Sequence, residues 1–438
     1  MSKLAIALLV IASIALLAAP RRWAALPLLV GGCYLPSGLG MELGPFNMYP
    51  LRWLLACALI RITLRGERAR NRMHGLDWMM WLWAAAALMS SFFYADVGAT
   101  LINRLGLVYT ACATYFVFRA LCQSEEDVVT LCRITAYVLT PIALAMLYER
   151  LTGHNLFSAF GGINEVSEVR AGTIRAQGPF AHSILAGSVG AVSLPLMAVL
   201  WKPYRMASIL GIAACLTMVY STASSGPIMS TGFAILALLM WPWRRHMRLM
   251  RWTALLGYIA LNRVMNAPAY YLLARIDLTG SSTSWHRAAL IDAAIDHISE
   301  WWLAGTSHTR GWMPYGVPWS ANHADITNYY LRMGVDGGLP LMLLFIAVLA
   351  KGFSCVGRAL RQQQSDTPSR VPFVAWALGS SLFAHAATFL AVSYFDQSVV
   401  FLYVTLAAMG SSALSEAPLP VQSAPSESPL LAETACST

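Results

Sequence analysis

The sequence is short of charge. Only 12% of its 438 residues are Asp, Glu, Lys or Arg, against roughly 25% in a soluble domain, and this excludes an ordinary water-soluble fold. It lacks HExxH, DxD and GxxxxGK[ST], so zinc peptidase, metal-dependent nucleotide-sugar transfer and P-loop hydrolysis have no support. No CxxC pair occurs. Cys33, Cys57, Cys112, Cys122, Cys132, Cys215 and Cys355 all fall in or beside apolar runs, where they read as small buried hydrophobes. Alternating polarity is missing too: Leu8, Leu9, Val10 and Ile11 are consecutive, which excludes barrel strands and leaves helices as the way to cross lipid.

Long hydrophobic runs are what the chain has. They lie at about 4–19, 23–36, 50–64, 76–95, 104–121, 128–148, 183–201, 206–222, 227–243, 251–265, 338–354, 371–391 and 396–413. Each approaches the length that spans a ~30 Å hydrocarbon core. The fold class expected is an all-α integral membrane bundle of 12 or 13 transmembrane helices, the alternative count arising because Pro20, Arg21 and Arg22 split the first two runs. Because the first run leads straight into further membrane segments, a cleaved signal peptide is not expected.

Thirty basic residues against twenty-one acidic ones give +9, an excess that orients membrane helices rather than binding nucleic acid. Placing alternate loops on one side collects eighteen of the thirty, among them Arg21, Arg22, Arg65, Arg68, Arg70, Arg72, Arg119, Arg133, Arg244 and Arg245. That side is expected to be cytoplasmic, with loops 149–182 and 266–330 outside. The organisation expected is therefore N-terminal spans over 1–150, a second membrane unit over 151–413 that includes loop 266–330, and a disordered cytoplasmic tail over 414–438.

Loop 266–330 holds His286, His297, His308 and His323 and five tryptophans, Trp285, Trp301, Trp302, Trp312 and Trp319, which predicts a folded outward subdomain. Residues 284–298 read as an amphipathic helix with Leu290, Ile291, Ala294, Ile295 and Ile298 on one face and Arg287 amid that stripe. A guanidinium there either snorkels, pairs with an acid such as Asp277, or meets a phosphate-bearing ligand. Arg150, Arg170, Arg175, Arg275, Arg310 and Arg332 also stand on the outward side, against the orienting bias. Near Arg175, Gly178 and Pro179 shape a turn and His182 opens a helix, where backbone N–H groups attract anions. A short helix bearing His323, with Asp325 and Asn328 close by, is expected ahead of a break at Gly337 and Gly338. His323 reads either as a structural histidine or as a general base on a sugar hydroxyl. His286 and His297 are ~16 Å apart along one helix and cannot share a metal.

Four stretches in order, RAQGPFAHSILAG from Arg175, STASSGP from Ser221, SWHRAALIDAAIDHISEWWLAGTS from Ser284 and NHADITNYYLRMGVDGGLPLM from Asn322, resemble the motifs of the O-antigen ligase and O-antigen polymerase superfamily. The likeness covers about 170–350; the amino-terminal spans match only in character. It implies a glycosyltransferase C-like bundle with a large periplasmic loop in the bacterial inner membrane. It also implies metal-independent, inverting glycan transfer from undecaprenyl diphosphate to a glycan or lipid acceptor, with no cofactor. A polysaccharide flippase and a chain-length regulator are the protein partners it implies. Carried over residue by residue, Arg175 and Arg287 hold the pyrophosphate, His323 handles the acceptor hydroxyl, and His182 and Asn328 contribute to substrate binding. Two departures stand out. Ser224, Ser225, Gly226 and Pro227 lack the arginine that ligases carry there, and His323 lies five residues ahead of Asn328 rather than beside it. Both favour an exopolysaccharide or capsule polymerase over a lipid A core ligase. A lipid-linked glycan flippase is the non-enzyme alternative, for which Arg52, Arg61, Arg104 and His385 are the candidate charges within spans.

Overall fold

A computed structural model describes residues 1–67, 73–272, 284–317, 320–362 and 370–411. The tail expected over 414–438 lies outside the described residues, as do Trp319, Arg275, Asp277, Arg68, Arg70 and Arg72. The chain is predominantly helical. Its helices are α1 (Lys3–Ala18), α2 (Ala25–Tyr34), α3 (Pro50–Arg65), α4 (Gly75–Met89), α5 (Val97–Leu121), α6 (Glu125–Thr152), α7 (Ser183–Val199), α8 (Arg205–Ser221), α9 (Ser225–Leu239), α10 (Met247–Val264), α11 (Ser284–Asp296), α12 (Ile298–Trp301), α13 (Tyr329–Gln362), α14 (Val371–Thr388) and α15 (Val399–Met409). Two small hairpins interrupt them: β1 (Met41–Leu43) with β2 (Phe46–Met48), and β3 (Glu168–Arg170) with β4 (Thr173–Arg175).

Among the described residues, five helices are long and apolar enough to cross a membrane: α4, α5, α6, α13 and α14. A sixth span results if α9 and α10, bent by 75° at their junction, count as one. α1, α7, α8 and α15 are apolar but only 11 to 17 residues long. The thirteen apolar runs thus become helices of unequal length, because local signals end several of them early. Pro20 follows the end of α1; Gly66 (φ +63°) closes α3 and Gly153 (φ +77°) closes α6 in the left-handed conformation. Ser124 and Asp127 form a reciprocal capping box that fixes the start of α6.

Side-chain contacts divide the bundle into two ends. At one, Arg21 pairs with Asp127 at 3.0 Å, Arg61 with Glu67 at 2.7 Å and Arg119 with Asp77 at 2.9 Å. Arg133 lies there between the rings of Trp23 and Tyr204. Of these, Arg21, Arg119 and Arg133 are among the basic positions expected to share a side and all stand at or near the α5–α6 turn, whereas Arg61 was expected within a span. Asp77 and Arg119 are both buried, and Tyr115 Oη donates to Asp77 at 2.8 Å, so the pair is held by further hydrogen bonds as a buried ion pair must be. The opposite end gathers the long loops, the two hairpins and the functional candidates.

Within the outward loop expected over 266–330, the described residues carry a small core of their own, built from Leu290, Ala293, Ala294, Trp301, Trp312, Met313, Ala324 and Ile326 against Val335 of α13. The apolar stripe differs from expectation: Ile295 and Ile298 are exposed, while Ala293 is packed. The chain turns at His297 and restarts as α12, so the helical period is reset and Trp301 packs inward, its Nε1 donating to Ala294 O at 2.8 Å.

Candidate functional site

A cavity of about 970 Å³ opens where α3, α5, the start of α7, α13 and the α14–α15 connection meet residues 316–317 and 320–327. Its walls carry His182, His323, Arg52, Arg104, Arg332, Asp325, Asp336 and Asp396. Two histidines singled out from separate stretches of sequence therefore share one space.

His323 lies on a loop, not on the short helix expected. The backbone around it is taken up by cross-loop bonds, with Thr309 N and Arg310 N donating to Asn322 O and Val317 N to His323 O, so no helical ladder forms. Ala324 N donates to Thr309 Oγ1, and Ser393 Oγ donates to Ile326 O at 2.6 Å, which anchors this loop to the subdomain and to the bundle. The Nδ1 of His323 is 2.7 Å from Ser320 Oγ, leaving the other ring nitrogen for the cavity. Burial first, and the charge of Arg332 second, hold the imidazole below its ordinary value of 6.5. It is therefore neutral at neutral pH, the form that accepts a proton.

His182 caps α7, its Nδ1 accepting from Ile184 N at 3.2 Å. Burial, and then the charge of Arg175, lower its pKa as well. Arg175 itself is 3% exposed; Nη2 donates to Ser224 Oγ at 2.7 Å and Nη1 lies 3.3 Å from Glu168. It is buried behind His182 and does not line the cavity. The serine-rich turn before α9 thus provides the hydroxyl that holds Arg175. The 167–178 segment is pinned by Glu149, which is fully buried and accepts from Ser167 Oγ, Gln177 N and Gly178 N at 2.8–3.0 Å. Gly178 takes φ +57° at the turn expected there, 2.9 Å short of Met146 for any added Cβ.

The opposite wall is basic. α13 breaks at Gly337 and Gly338, as expected, with Gly338 at φ +77°. Asp336, immediately before the break, pairs through Oδ1 with Arg104 at 3.2 Å and through Oδ2 with Arg332 at 2.9 Å. Arg104 also donates to the Asp336 carbonyl. Tyr94 Oη donates to Val335 O at 3.0 Å, so the kink is fastened to the start of α5 and to the segment before it. Sequence reading had Arg332 among the outward arginines and Arg52 and Arg104 as charges within spans, but no spacing linked them to one another or to Asp336.

Several candidates stand elsewhere. Arg287 is half-buried on α11, one turn ahead of Leu290, and is not among the cavity-lining residues. Asn328 is buried at the start of α13, its Oδ1 accepting from Leu331 N and its Nδ2 donating to Leu390 O, so its side chain caps and ties the helix. His286 Nε2 contacts Asp325 O, His297 stacks on Trp312, and His308 contacts Ser307. Trp301 and Trp312 are core residues, which removes them as sugar platforms, whereas Trp285 and Trp302 are half exposed. Of the span charges, Arg61 is engaged by Glu67, and His385 is wholly buried with Nδ1 3.3 Å from Tyr394 Oη.

No family model, no curated protein and no solved structure matches this chain.

Proposed function

We propose that the chain is a metal-independent, inverting glycosyltransferase of the bacterial inner membrane, working on its periplasmic face. In this reading it polymerises glycan repeat units from undecaprenyl diphosphate, as the resemblance to the O-antigen ligase and polymerase superfamily implies. The observation that carries the reading is that neutral His323 shares a cavity with His182 beside a wall of arginines. An acceptor hydroxyl loses its proton to the cavity-facing nitrogen of His323 as its oxygen bonds to the anomeric carbon. The anomeric C–O bond to the diphosphate breaks, and the lipid diphosphate leaves with the electron pair. Fixed guanidinium groups stabilise that leaving charge without reorganising. The resemblance assigns the diphosphate to Arg175 and Arg287, neither of which lines the cavity.

Removing a general base costs ~10² to 10⁴ in rate. His323→Ala in the purified, membrane-reconstituted protein should therefore bind lipid-linked donor normally while transfer falls by that factor. In cells, its loss should accumulate single lipid-linked repeats; long unattached chains would instead indicate ligation to lipid A core or protein. Arg52 and Arg104, charges on α3 and α5 that face the cavity, favour one second reading, a lipid-linked glycan exporter. Normal chain length and attachment with reduced export in Arg52→Gln would support that reading over transfer.

A further inference from the structure

Around Asp336 the cavity holds more guanidinium than carboxylate, its other two acids, Asp325 and Asp396, standing on the His323 loop and just before α15, where Asp396 accepts from Ala181 N and Ser398 N. Asp336 supplies one carboxylate to two guanidiniums, Arg104 and Arg332, and a third, Arg52, lines the same cavity. Their donors are not used up. Arg52 gives Nε to Thr110 Oγ1 and Nη1 to Asn47 O, while its Nη2 has no partner among the described residues. Arg104 is 6% exposed and its Nε is buried without a partner. Arg332 binds Asp336 through Nε only, and its side chain is 45% exposed where it faces the cavity. Buried or half-buried guanidiniums cannot shed their charge, and an excess of them in a low-dielectric space is costly until an anion arrives. The backbone makes room for this arrangement. Gly106 on α5 lies directly under Arg52, where an added Cβ would come within 2.5 Å of Nη2.

We propose that Arg52, Arg104 and Arg332 form a subsite for a carboxylated sugar, a uronic acid or pyruvyl-bearing residue of the glycan that is extended. The anion binding stands on the geometry alone; its place on the acceptor side rests on the transfer reading, because this wall adjoins His323. A carboxylate suits it. Asp336 already cancels one of the three charges, and Arg332, held through Nε alone, keeps its two Nη groups as a planar fork that pairs with a carboxylate two at a time.

The test uses the full-length protein in nanodiscs, with methyl β-glucuronide, methyl β-glucoside and inorganic pyrophosphate as probes, titrated by calorimetry or ligand-observed NMR. Wild-type protein should bind the glucuronide at least ~10-fold more tightly than the glucoside, the worth of a charge-assisted contact. Arg52→Gln and Gly106→Ala should each remove most of that preference, the second by displacing Arg52 with every arginine still present. Thermal unfolding of both variants sets aside misfolding, and Arg332→Gln gives an independent third reading. Equal binding of the two glycosides, or an unchanged preference in Arg52→Gln, overturns the proposal. Pyrophosphate displacing the glucuronide more tightly, with the same dependence on Arg52, makes the wall a diphosphate subsite and also overturns it. The two readings fail separately: wild-type protein that transfers no glycan from the lipid-linked donor removes the transfer reading and leaves the subsite, whereas wild-type transfer without a glucuronide preference does the reverse.

Discussion

Ser320 Oγ lies 2.7 Å from Nδ1 of His323, and this contact fixes which ring nitrogen the cavity receives. In the tautomer whose Nδ1–H donates to the hydroxyl, the other nitrogen carries the lone pair a base needs. Ser320→Ala should slow transfer by about tenfold, the worth of one lost orienting hydrogen bond, and less than His323→Ala does. Single-turnover kinetics on both variants checks the order. An unaffected Ser320→Ala enzyme would mean the ring is positioned by packing alone.

The pH profile follows from the same residue. His323 is held below 6.5 by burial and then by Arg332, so the acid limb of transfer should fall below pH 6.5. Arg332→Gln removes the positive neighbour and should move that limb up towards 6.5. The sign for stability is related. Between the depressed folded value and 6.5 the unfolded chain binds more protons than the folded one, so the contribution of His323 is complete above pH 6.5 and declines as pH falls through that window. Rates and unfolding measured over the same pH range test both statements.

Arg175 and Ser224 give a stability prediction. Ser224→Ala leaves a buried guanidinium nitrogen unpaired and should cost about 1.5–3 kcal/mol, the range for a hydrogen bond to a charged group. Glu168→Gln should cost much less, because that carboxylate is half exposed and screened by water. Thermal unfolding in detergent compares the two.

Gly338 sits at φ +77°, and an added Cβ there would lie 2.3 Å from the Leu303 carbonyl oxygen. Backbone cannot yield as a side chain does. Gly338→Ala should therefore lower stability by more than ~1 kcal/mol and loosen the subdomain against α13. Hydrogen exchange of Thr306 N–H, which donates to Val335 O, should accelerate with it.

The transfer reading requires loop 284–326 outside the cell. A cysteine placed at Tyr315, 74% exposed, should be labelled by an impermeant maleimide added to intact cells whose outer membrane has been opened. Labelling from the cytoplasm alone would reverse the topology and remove the transfer reading with it.

Helical class, the break at Gly337–Gly338, the cap at His182 and the shared side of Arg21, Arg119 and Arg133 were legible because each rests on local chemistry: apolar runs, positive φ, helix-start residues, charge in short loops. The cavity was not legible. Arg104 and Asp336 are 232 residues apart, and Arg175 and Ser224 are 49 apart, separations at which no period or motif connects two side chains. Which of the loop's tryptophans pack the small core, Trp301 and Trp312, and which stay exposed was not legible either, because the two kinds look alike in sequence. Asn328 likewise carried a functional motif's appearance while serving as a cap.

Glu149 and the Arg104–Asp336 pair differ in when a ribosome can supply them. The carboxylate of Glu149 meets Gln177 and Gly178 within the next thirty residues of chain, so the turn between α6 and α7 closes almost as soon as it leaves the tunnel. The pair at the kink of α13 waits until more than three quarters of the protein has been made. Domains built first can be complete while later ones are still absent. A nascent chain halted before α13 would hold a finished α6–α7 hairpin and an open groove where the cavity belongs, and the two halves of its chemistry would come into existence together, at the end of synthesis.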